Sequence, residues 1–347
     1  MTCKFSALKF SALPVLGLPA VALAFGTLAF GASGAHAETQ TVRLAKQFGI
    51  SYLPLTVMED KKLLEAQGKK LGLDLTTEWV KFTSGTPMNE AILSGQLDFA
   101  SGGVGPLITI WSKTRSNLGV KGVAALNAMP LYLNTVNPNV KTIKDFTEKD
   151  RIALPAVKVS IQAVTLQMAA EKAFGAGKQD KLDSLTVSLG HPDGMAQMMG
   201  GKSEISAHFT SAPFQYQELD DKRVHKVLDS YEVLGGPHTF NSVWASSKFY
   251  KDHRKVVQAF NAALDEAIQF IKKDPAGAAA LWVRVENSKL PVAYAEKIIR
   301  DPQNEWTMTP KKVMGYADYM ARAGMIAKKP DSWKDVYFDE IHKLPGS

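Results

Sequence analysis

The sequence has few of the residues and motifs on which catalysis or metal binding usually depends. It contains one cysteine, Cys3, so a disulfide scaffold and a cysteine-ligated zinc site are excluded. It has no G-x-G-x-x-G, H-E-x-x-H or G-x-S-x-G motif, the patterns typical of dinucleotide, zinc-protease and serine-hydrolase sites. The histidines His191, His208 and His238 are too dispersed along the chain to indicate a ligand set. These absences predict a protein that is not an enzyme and has no metal or cofactor.

What the composition contains is typical of a globular chain of two domains. The 347 residues are 45% hydrophobic and 22% charged, and at ~150 residues per domain this length suggests two cores. The formal net charge is +7, and the lysine pairs are scattered and mostly lie beside acids. Such a surface favours small anionic molecules. Nucleic acid is not an expected partner because the chain is predicted to be exported.

The first 37 residues have the pattern of a signal peptide. Two lysines, Lys4 and Lys9, precede an apolar stretch over 10–31, and Ala35-His36-Ala37 matches an A-x-A cleavage site. We predict cleavage after Ala37 and a periplasmic mature protein. The alternative is an uncleaved membrane anchor, since the apolar run is long enough to span a bilayer.

The mature chain alternates short strands with amphipathic helices, which predicts an α/β fold. A second α/β unit begins near Leu131, and no Gly/Ser-rich linker separates the two units. We therefore expect strand-like crossings at 127–133 and 236–244. The predicted lobes are 38–128 plus 240–347 and 129–239, each with a mixed sheet flanked by helices. The same patterns predict helices over 54–67 and 333–342 and a strand over 97–100.

Five strand-to-helix junctions share small or hydroxyl residues. They cover 47–54, 83–87, 101–106, 155–160 and 210–213, and four of them have a proline where we predict the first helical residue. Such junctions expose backbone N–H groups at the positive end of a helix dipole, and several facing one cleft would hold an anion. Lys158 and, more remotely, His191 and His208 are the ionisable positive groups nearby. The alternative interpretation is that these residues merely cap helices.

Aromatic residues close to these junctions are candidates for selecting an organic group. Packing in the core is the alternative for each of them. The residues concerned are Phe48, Tyr52, Phe209, Phe214, Tyr216 and Trp244.

Several stretches resemble the periplasmic substrate-binding proteins of ABC importers, of the nitrate/sulfonate/taurine type that is related to binders of thiamine-pyrimidine precursors. The resemblance rests on Phe82-Thr83-Ser84-Gly85, on the SGQLD stretch at 94–98 with Gly103 and Pro106 after it, and on 152–155, 205–213 and 240–249. It implies a type II two-lobed periplasmic-binding-protein fold with the ligand in the interlobe cleft. It also implies a monomer that delivers its ligand to an ABC permease and its ATPase.

The resemblance and the aromatic candidates together define a predicted ligand site. Its members come from the junctions and from the strands beside them: Gln47, Gly49, Ser51, Tyr52, Ser84, Gly85, Gly103, Val104, Lys158, Val159, Ser160, Phe209, Thr210, Ser211 and Trp244.

Two departures from the family pattern bear on the substrate. Val104 and Gly105 stand where sulfonate binders often have hydroxyls, and 240–243 offers no acid to hold the amino group of taurine. The predicted ligand is a small organic anion: an alkyl or aryl sulfonate, a taurine-like compound or an aromatic carboxylate. The alternative is a pyrimidine-precursor binder or an enzyme that shares the fold.

Overall fold

Residues 39–347 are described by a computed structural model of the chain. The predicted signal peptide and its cleavage site after Ala37 lie outside the described residues. Over the described part, none of the helices combines the length and the apolar character that a membrane crossing requires.

Strands and helices alternate along most of the described chain and give way to helices near its end. The strands are β1 (Gln40–Lys46), β2 (Leu75–Lys81), β3 (Ala100–Gly103), β4 (Lys121–Ala125), β5 (Asn127–Ala128), β6 (Tyr132–Thr135), β7 (Arg151–Leu154), β8 (Thr186–Ser188), β9 (Ile205–Thr210), β10 (His225–Asp229), β11 (Asn241–Ala245) and β12 (Glu305–Trp306). The helices are α1 (Leu53–Asp60), α2 (Leu63–Lys70), α3 (Gly85–Leu93), α4 (Val104–Thr114), α5 (Ile161–Phe174), α6 (His191–Gly200), α7 (Phe214–Leu219), α8 (Ser230–Leu234), α9 (Ser247–Asp252), α10 (Arg254–Lys273), α11 (Pro275–Val285), α12 (Val292–Arg300), α13 (Val313–Arg322) and α14 (Trp333–Val336).

Three sheets are built from the first and last parts of the described chain. Strand β1 pairs in parallel with β2, β11 pairs antiparallel with both β3 and β4, and β12 pairs antiparallel with β5. A single parallel bridge between Leu44 and Phe99 joins β1 to the residues that enter β3. The Phe99 ring stacks on Phe260 of α10, with 4.4 Å between ring centroids. Because both rings are buried, this contact fixes the C-terminal helices against the first sheets.

A five-stranded sheet, in the order β10-β6-β9-β7-β8, is made only of residues 132–229. Strand β7 pairs in parallel with β8 and β9, whereas β6 pairs antiparallel with β9 and β10. The sheet is therefore mixed: β6, the first strand to enter it, runs opposite to the other four strands, which all point the same way.

The two segments that connect this sheet to the others lie side by side. Ala128 and Thr239 form an antiparallel bridge, and the Phe240 N–H donates to the Asn127 carbonyl at 3.2 Å. The chain leaves the first sheets and returns to them through neighbouring extended segments. The lobe boundaries given above remain a prediction.

Three of the predicted elements have different bounds in the structure. The helix expected over 54–67 is two helices, because Lys62 adopts a left-handed conformation (φ 51°) between α1 and α2. The strand expected over 97–100 begins only at Ala100. The helix expected over 333–342 ends at Val336, because Tyr337 turns to extended backbone and its hydroxyl lies 2.6 Å from Ser242 Oγ in the core.

Candidate ligand-binding cavity

A small cavity, called the polar cavity below, lies between the first sheets and the five-stranded sheet. Its volume is about 20 Å³, room for about one water molecule. Its lining comes from both parts of the chain: Gln47, Phe48, Tyr52, Gly85, Gly103, Pro106 and Phe240 on one side and Pro155, Ser160, Ile161, Gln162, His191 and Ser211 on the other.

Four helices of eight or more residues begin at this cavity. Helices α3 and α4 start at Gly85 and directly after Gly103, and α5 and α6 start at Ile161 and His191. The prediction that four prolines are first helical residues is wrong. Pro54 is the second residue of α1, Pro87 and Pro106 are each the third residue of their helix, and Pro213 directly precedes α7. The glycines therefore stand at the helix starts themselves, and their backbone reaches the cavity without a side chain in the way.

The helix starts leave hydrogen-bond donors at the cavity. The Ile161 and Gln162 N–H groups have no partner among residues 39–347, as is usual for the first turn of a helix. Ser211 is 1% exposed, and its Oγ likewise has no partner within that range. A buried hydroxyl without a partner is costly, so this side chain indicates a ligand atom that completes the cavity.

The structure brings six of the fifteen predicted site residues to the polar cavity. The six are Gln47, Tyr52, Gly85, Gly103, Ser160 and Ser211. Ser84 and Val104 are the direct neighbours of two of them in the chain, and Gly49 lines an adjoining groove.

Several predicted site residues have structural partners instead. Ser51 Oγ accepts from Asn241 Nδ2 at 3.0 Å, which ties the first junction to the segment entering β11. Phe209 and Trp244 are fully buried in the core. Lys158 is exposed, with a left-handed backbone conformation (φ 64°), and is not in the cavity lining.

Residues that the sequence analysis did not place in the site also line the cavity. Gln162 is the second residue of α5, which begins directly after the predicted junction at 155–160. Extending that junction into the first turn of the helix would have included Gln162 in the predicted site. His191 is the first residue of α6 and stands between Gly190 and Pro192. That Gly-x-Pro pattern is typical of a helix start, but the wide spacing of the histidines along the chain gives no sign that His191 contacts a ligand.

His191 is the outermost member of a buried hydrogen-bonded chain. Its Nδ1 lies 3.1 Å from His208 Nε2 and 3.1 Å from Thr210 Oγ1. His208 Nδ1 lies 2.6 Å from Glu218 Oε1, and Asn134 Nδ2 donates to Glu218 Oε2 at 2.9 Å. Burial, and secondly the neighbouring His208, hold the pKa of His191 well below its usual value, so this imidazole is uncharged at neutral pH.

The two sides of the cavity meet at glycine backbone. A Cβ on Gly103 would lie 2.6 Å from Ile161 Cγ2, and one on Gly49 would lie 2.9 Å from the Ala212 carbonyl oxygen. The Ile50 N–H donates to that same carbonyl at 3.2 Å. A side chain at either glycine would hold the two sides apart.

An adjoining space, called the apolar groove below, is much larger. Its volume is about 470 Å³, within the range of small-molecule sites. Phe48 lines both spaces, and the groove continues along mainly apolar residues: Pro192, Met195, Pro213, Phe214, Trp282 and Leu290.

Two lysines near the groove, the buried Lys46 and the exposed Lys81, are paired with one carboxylate, whereas Lys289, which also lines the groove, is exposed. Lys46 Nζ lies 2.9 Å from Glu286 Oε1, and Lys81 Nζ lies 2.5 Å from Glu286 Oε2. Burial acts to raise the pKa of Glu286, but the two lysines outweigh it and the pKa lies below its usual value. Glu286 is thus ionised at neutral pH and balances charge that would otherwise attract an anion.

A family model for the NMT1-like family matches residues 35–284. The chain belongs to the NMT1-like family. No curated protein matches its sequence.

Solved structures of periplasmic binding proteins have the same fold as this family member. The alkanesulfonate-binding protein SsuA of Xanthomonas axonopodis pv. citri, bound to MOPS, is 18% identical, covers 84% of this chain and 96% of its own, and has a TM-score of 0.67. The periplasmic aliphatic sulphonate binding protein SsuA of Escherichia coli is 19% identical, covers 86% of this chain and 99% of its own, and has a TM-score of 0.64. The periplasmic nitrate-binding protein NrtA of Synechocystis PCC 6803 is 15% identical, covers 86% of this chain and 85% of its own, and has a TM-score of 0.68. The predicted periplasmic-binding-protein fold is thereby confirmed.

The glycine contact across the cavity generates a prediction. The variant Gly103→Ala places a methyl group against Ile161, a β-branched residue at a helix start that has little room to move. We expect the free energy of unfolding in urea to fall by about 1–3 kcal/mol. Gly200→Ala is the control, because a Cβ there meets no atom within 4 Å and alanine favours the helix. Equal stability of the two variants, with an unchanged radius of gyration, would contradict this account of the contact.

Proposed function

We propose that this protein is the substrate-binding component of an ABC importer and captures a small organic anion in the polar cavity. The observation that carries the proposal is the convergence of four helix N-termini and the unpartnered Ser211 hydroxyl on one cavity. Each helix start contributes about half a positive charge. Backbone and hydroxyl donors of this kind bind oxyanions without a cationic side chain.

The apolar groove supports an anion with an organic tail. An acidic group in the polar cavity would lie next to Phe48, from which the groove extends past Phe214 and Leu290. A buried methylene group contributes about 0.8 kcal/mol, so an alkyl or aryl tail would add affinity that nitrate cannot gain. We therefore favour alkyl or aryl sulfonates and aromatic carboxylates as substrates.

Capture requires the two sides of the cavity to separate. A volume of about 20 Å³ does not accommodate a sulfonate, so we assign the described arrangement to a fully closed state and the bound state to one in which the two sides lie further apart but both contact the ligand. The proposed moving parts are the lobes 38–128 plus 240–347 and 129–239, joined through the paired segments at Asn127–Ala128 and Thr239–Phe240. A ligand that contacts both lobes favours closure, because only differential binding shifts such an equilibrium.

Export and delivery complete the proposal. Residues 1–37 would direct the chain to the periplasm and be removed after Ala37. The mature monomer would then carry its ligand to a membrane permease that is driven by an ATPase. The periplasmic locations of the E. coli and Synechocystis proteins with the same fold support this assignment.

A ligand panel tests the proposal. We expect benzenesulfonate, propanesulfonate or benzoate to raise the melting temperature of the mature protein, because a ligand at a hundred times its Kd stabilises the folded state by ~2.7 kcal/mol. Nitrate should have a smaller effect because it cannot fill the groove. A panel in which only pyrimidines or other uncharged compounds raise the melting temperature would contradict the proposal.

Ser211 provides a residue-level test. In Ser211→Ala the bound anion loses one donor in a site with little water, so we expect the Kd measured by calorimetry to rise about ten- to a hundredfold. Ser116→Ala, which changes an exposed serine, is the matched control and should bind as the unsubstituted protein does. Unchanged affinity in Ser211→Ala would remove the hydroxyl from the binding site.

A further inference from the structure

Within residues 39–347, the lining of the polar cavity has one basic side chain. Neither lysine nor arginine is among the thirteen described residues that line it, and His191 is the sole histidine there. Of the two lysines that line the apolar groove, Lys81 is paired with Glu286 and Lys289 is exposed, as is Lys158. Side-chain charge in the described lining of the polar cavity itself must therefore come from His191.

The hydrogen bonds of the described structure fix the proton positions on His191. An amide nitrogen can only donate, so Gln162 Nε2, at 3.4 Å, makes His191 Nε2 an acceptor without a proton. The proton then lies on Nδ1, which donates to His208 Nε2 at 3.1 Å and faces Thr210 Oγ1 at the same distance. His208 in turn donates its Nδ1 proton to Glu218.

This chain places a buried carboxylate behind the cavity histidine. Glu218 and His208 are both fully buried, and opposite charges attract strongly where water is excluded. Asn134, which pairs with His208 across β6 and β9, holds the other carboxylate oxygen. A positive charge that appears on His191 would thus be stabilised through His208.

We propose that His191 is the charged partner of the ligand's acidic group, and that binding the anion takes up one proton. A proton from the buffered solvent adds to His191 Nε2, which gives up the hydrogen bond from Gln162 Nε2. The resulting imidazolium donates through Nε2 to the anion and through Nδ1 to His208. No covalent bond to the ligand forms. This inference rests on the proposed function, and it names His191 as the group that makes the polar cavity selective for anions.

The remaining surroundings of His191 supply no competing charge. From α5 it meets Gln162, from β9 His208 and Thr210, and from α7 the Phe214 ring at a centroid distance of 5.7 Å. Strand β7 faces α6 with apolar Ala153, and Asp193 on α6 itself is exposed. The low pKa of His191 agrees with a group that becomes charged only when an anion arrives.

A metal site and a purely structural role are the competing explanations. The three side chains contact one another in series, and no cluster of histidine, cysteine, aspartate and glutamate within 39–347 is arranged to hold a metal ion. A structural role would leave proton uptake on binding at zero.

Calorimetry with benzenesulfonate tests the proposal, because this probe stays ionised at every pH used. Titrations between pH 6 and 7 in Bis-Tris and in imidazole, which differ in ionisation enthalpy and supply no competing anion, give the number of protons taken up. We expect about one proton per bound anion, and a Kd that rises up to tenfold per unit as the pH increases. Nitrogen-15 NMR of histidine-labelled protein should show His191 changing from imidazole to imidazolium when the anion is added.

Two variants test whether the hydrogen-bonded chain of His191, His208 and Glu218 supplies the charge that meets the anion. His191→Gln should abolish the proton uptake and raise the Kd at least tenfold. Glu218→Gln, which keeps the shape and the acceptor for His208, should reduce the uptake and raise the Kd although residue 218 is outside the cavity lining. Glu171→Gln, which removes the carboxylate from a pair with Arg322, is the control and should change neither quantity.

The outcomes distinguish this inference from the proposed function. Tight binding of benzenesulfonate without proton uptake, with His191 remaining neutral by NMR, would overturn the inference and leave the proposed function standing. Failure of every anion in the panel to bind would overturn both. Melting temperatures of the variants establish that they are folded, and the NMR measurement on the unsubstituted protein needs no variant.

Discussion

The close approach of the starts of α4 and α5 is the constraint on which the cavity depends. Gly103 permits it, because any larger residue would overlap Ile161 across the cavity. The same contact brings the Ile161 and Gln162 N–H groups to the side of the cavity formed by Gly85 and Gly103. Donors from both parts of the chain then face one small volume, where the low dielectric strengthens their attraction for an anion.

Charge in this site comes mainly from the backbone. Lys46 and Lys81 are paired with Glu286, and the first turns of four helices supply the donors. Such a site need not strip water from a buried lysine to meet the anion, a desolvation that would cost several kcal/mol. The histidine–glutamate chain would add a charge only when an anion is present, which favours release of the ligand once the two sides separate.

Much of the fold and part of the site could be predicted from the sequence. Alternation of strands and helices and the SGQLD stretch at 94–98 indicated the periplasmic-binding-protein fold, which the structural comparisons confirm. The junction pattern found Gly85, Gly103, Ser160 and Ser211, because a helix start after a strand is a local feature that local sequence encodes.

The chain of His191, His208 and Glu218 could not be predicted in the same way. Its members come from α6, β9 and α7, and only the packing of these elements brings the side chains together. His208 alternates with neighbours in a buried strand, where a lone histidine has the pattern of a core residue. Lys158 shows the converse: it stands at a predicted junction, but its left-handed conformation leaves the side chain exposed.

The polar cavity is proposed to select its ligand by negative charge rather than by shape. Calorimetry of the mature protein with benzenesulfonate and with benzenesulfonamide, its uncharged analogue of nearly equal size, tests this most directly. We predict at least a hundredfold weaker binding of the sulfonamide, corresponding to about 2.7 kcal/mol. The reason is that the sulfonamide has no negative charge to interact with the helix starts and His191. Equal affinities for the two compounds would contradict the account.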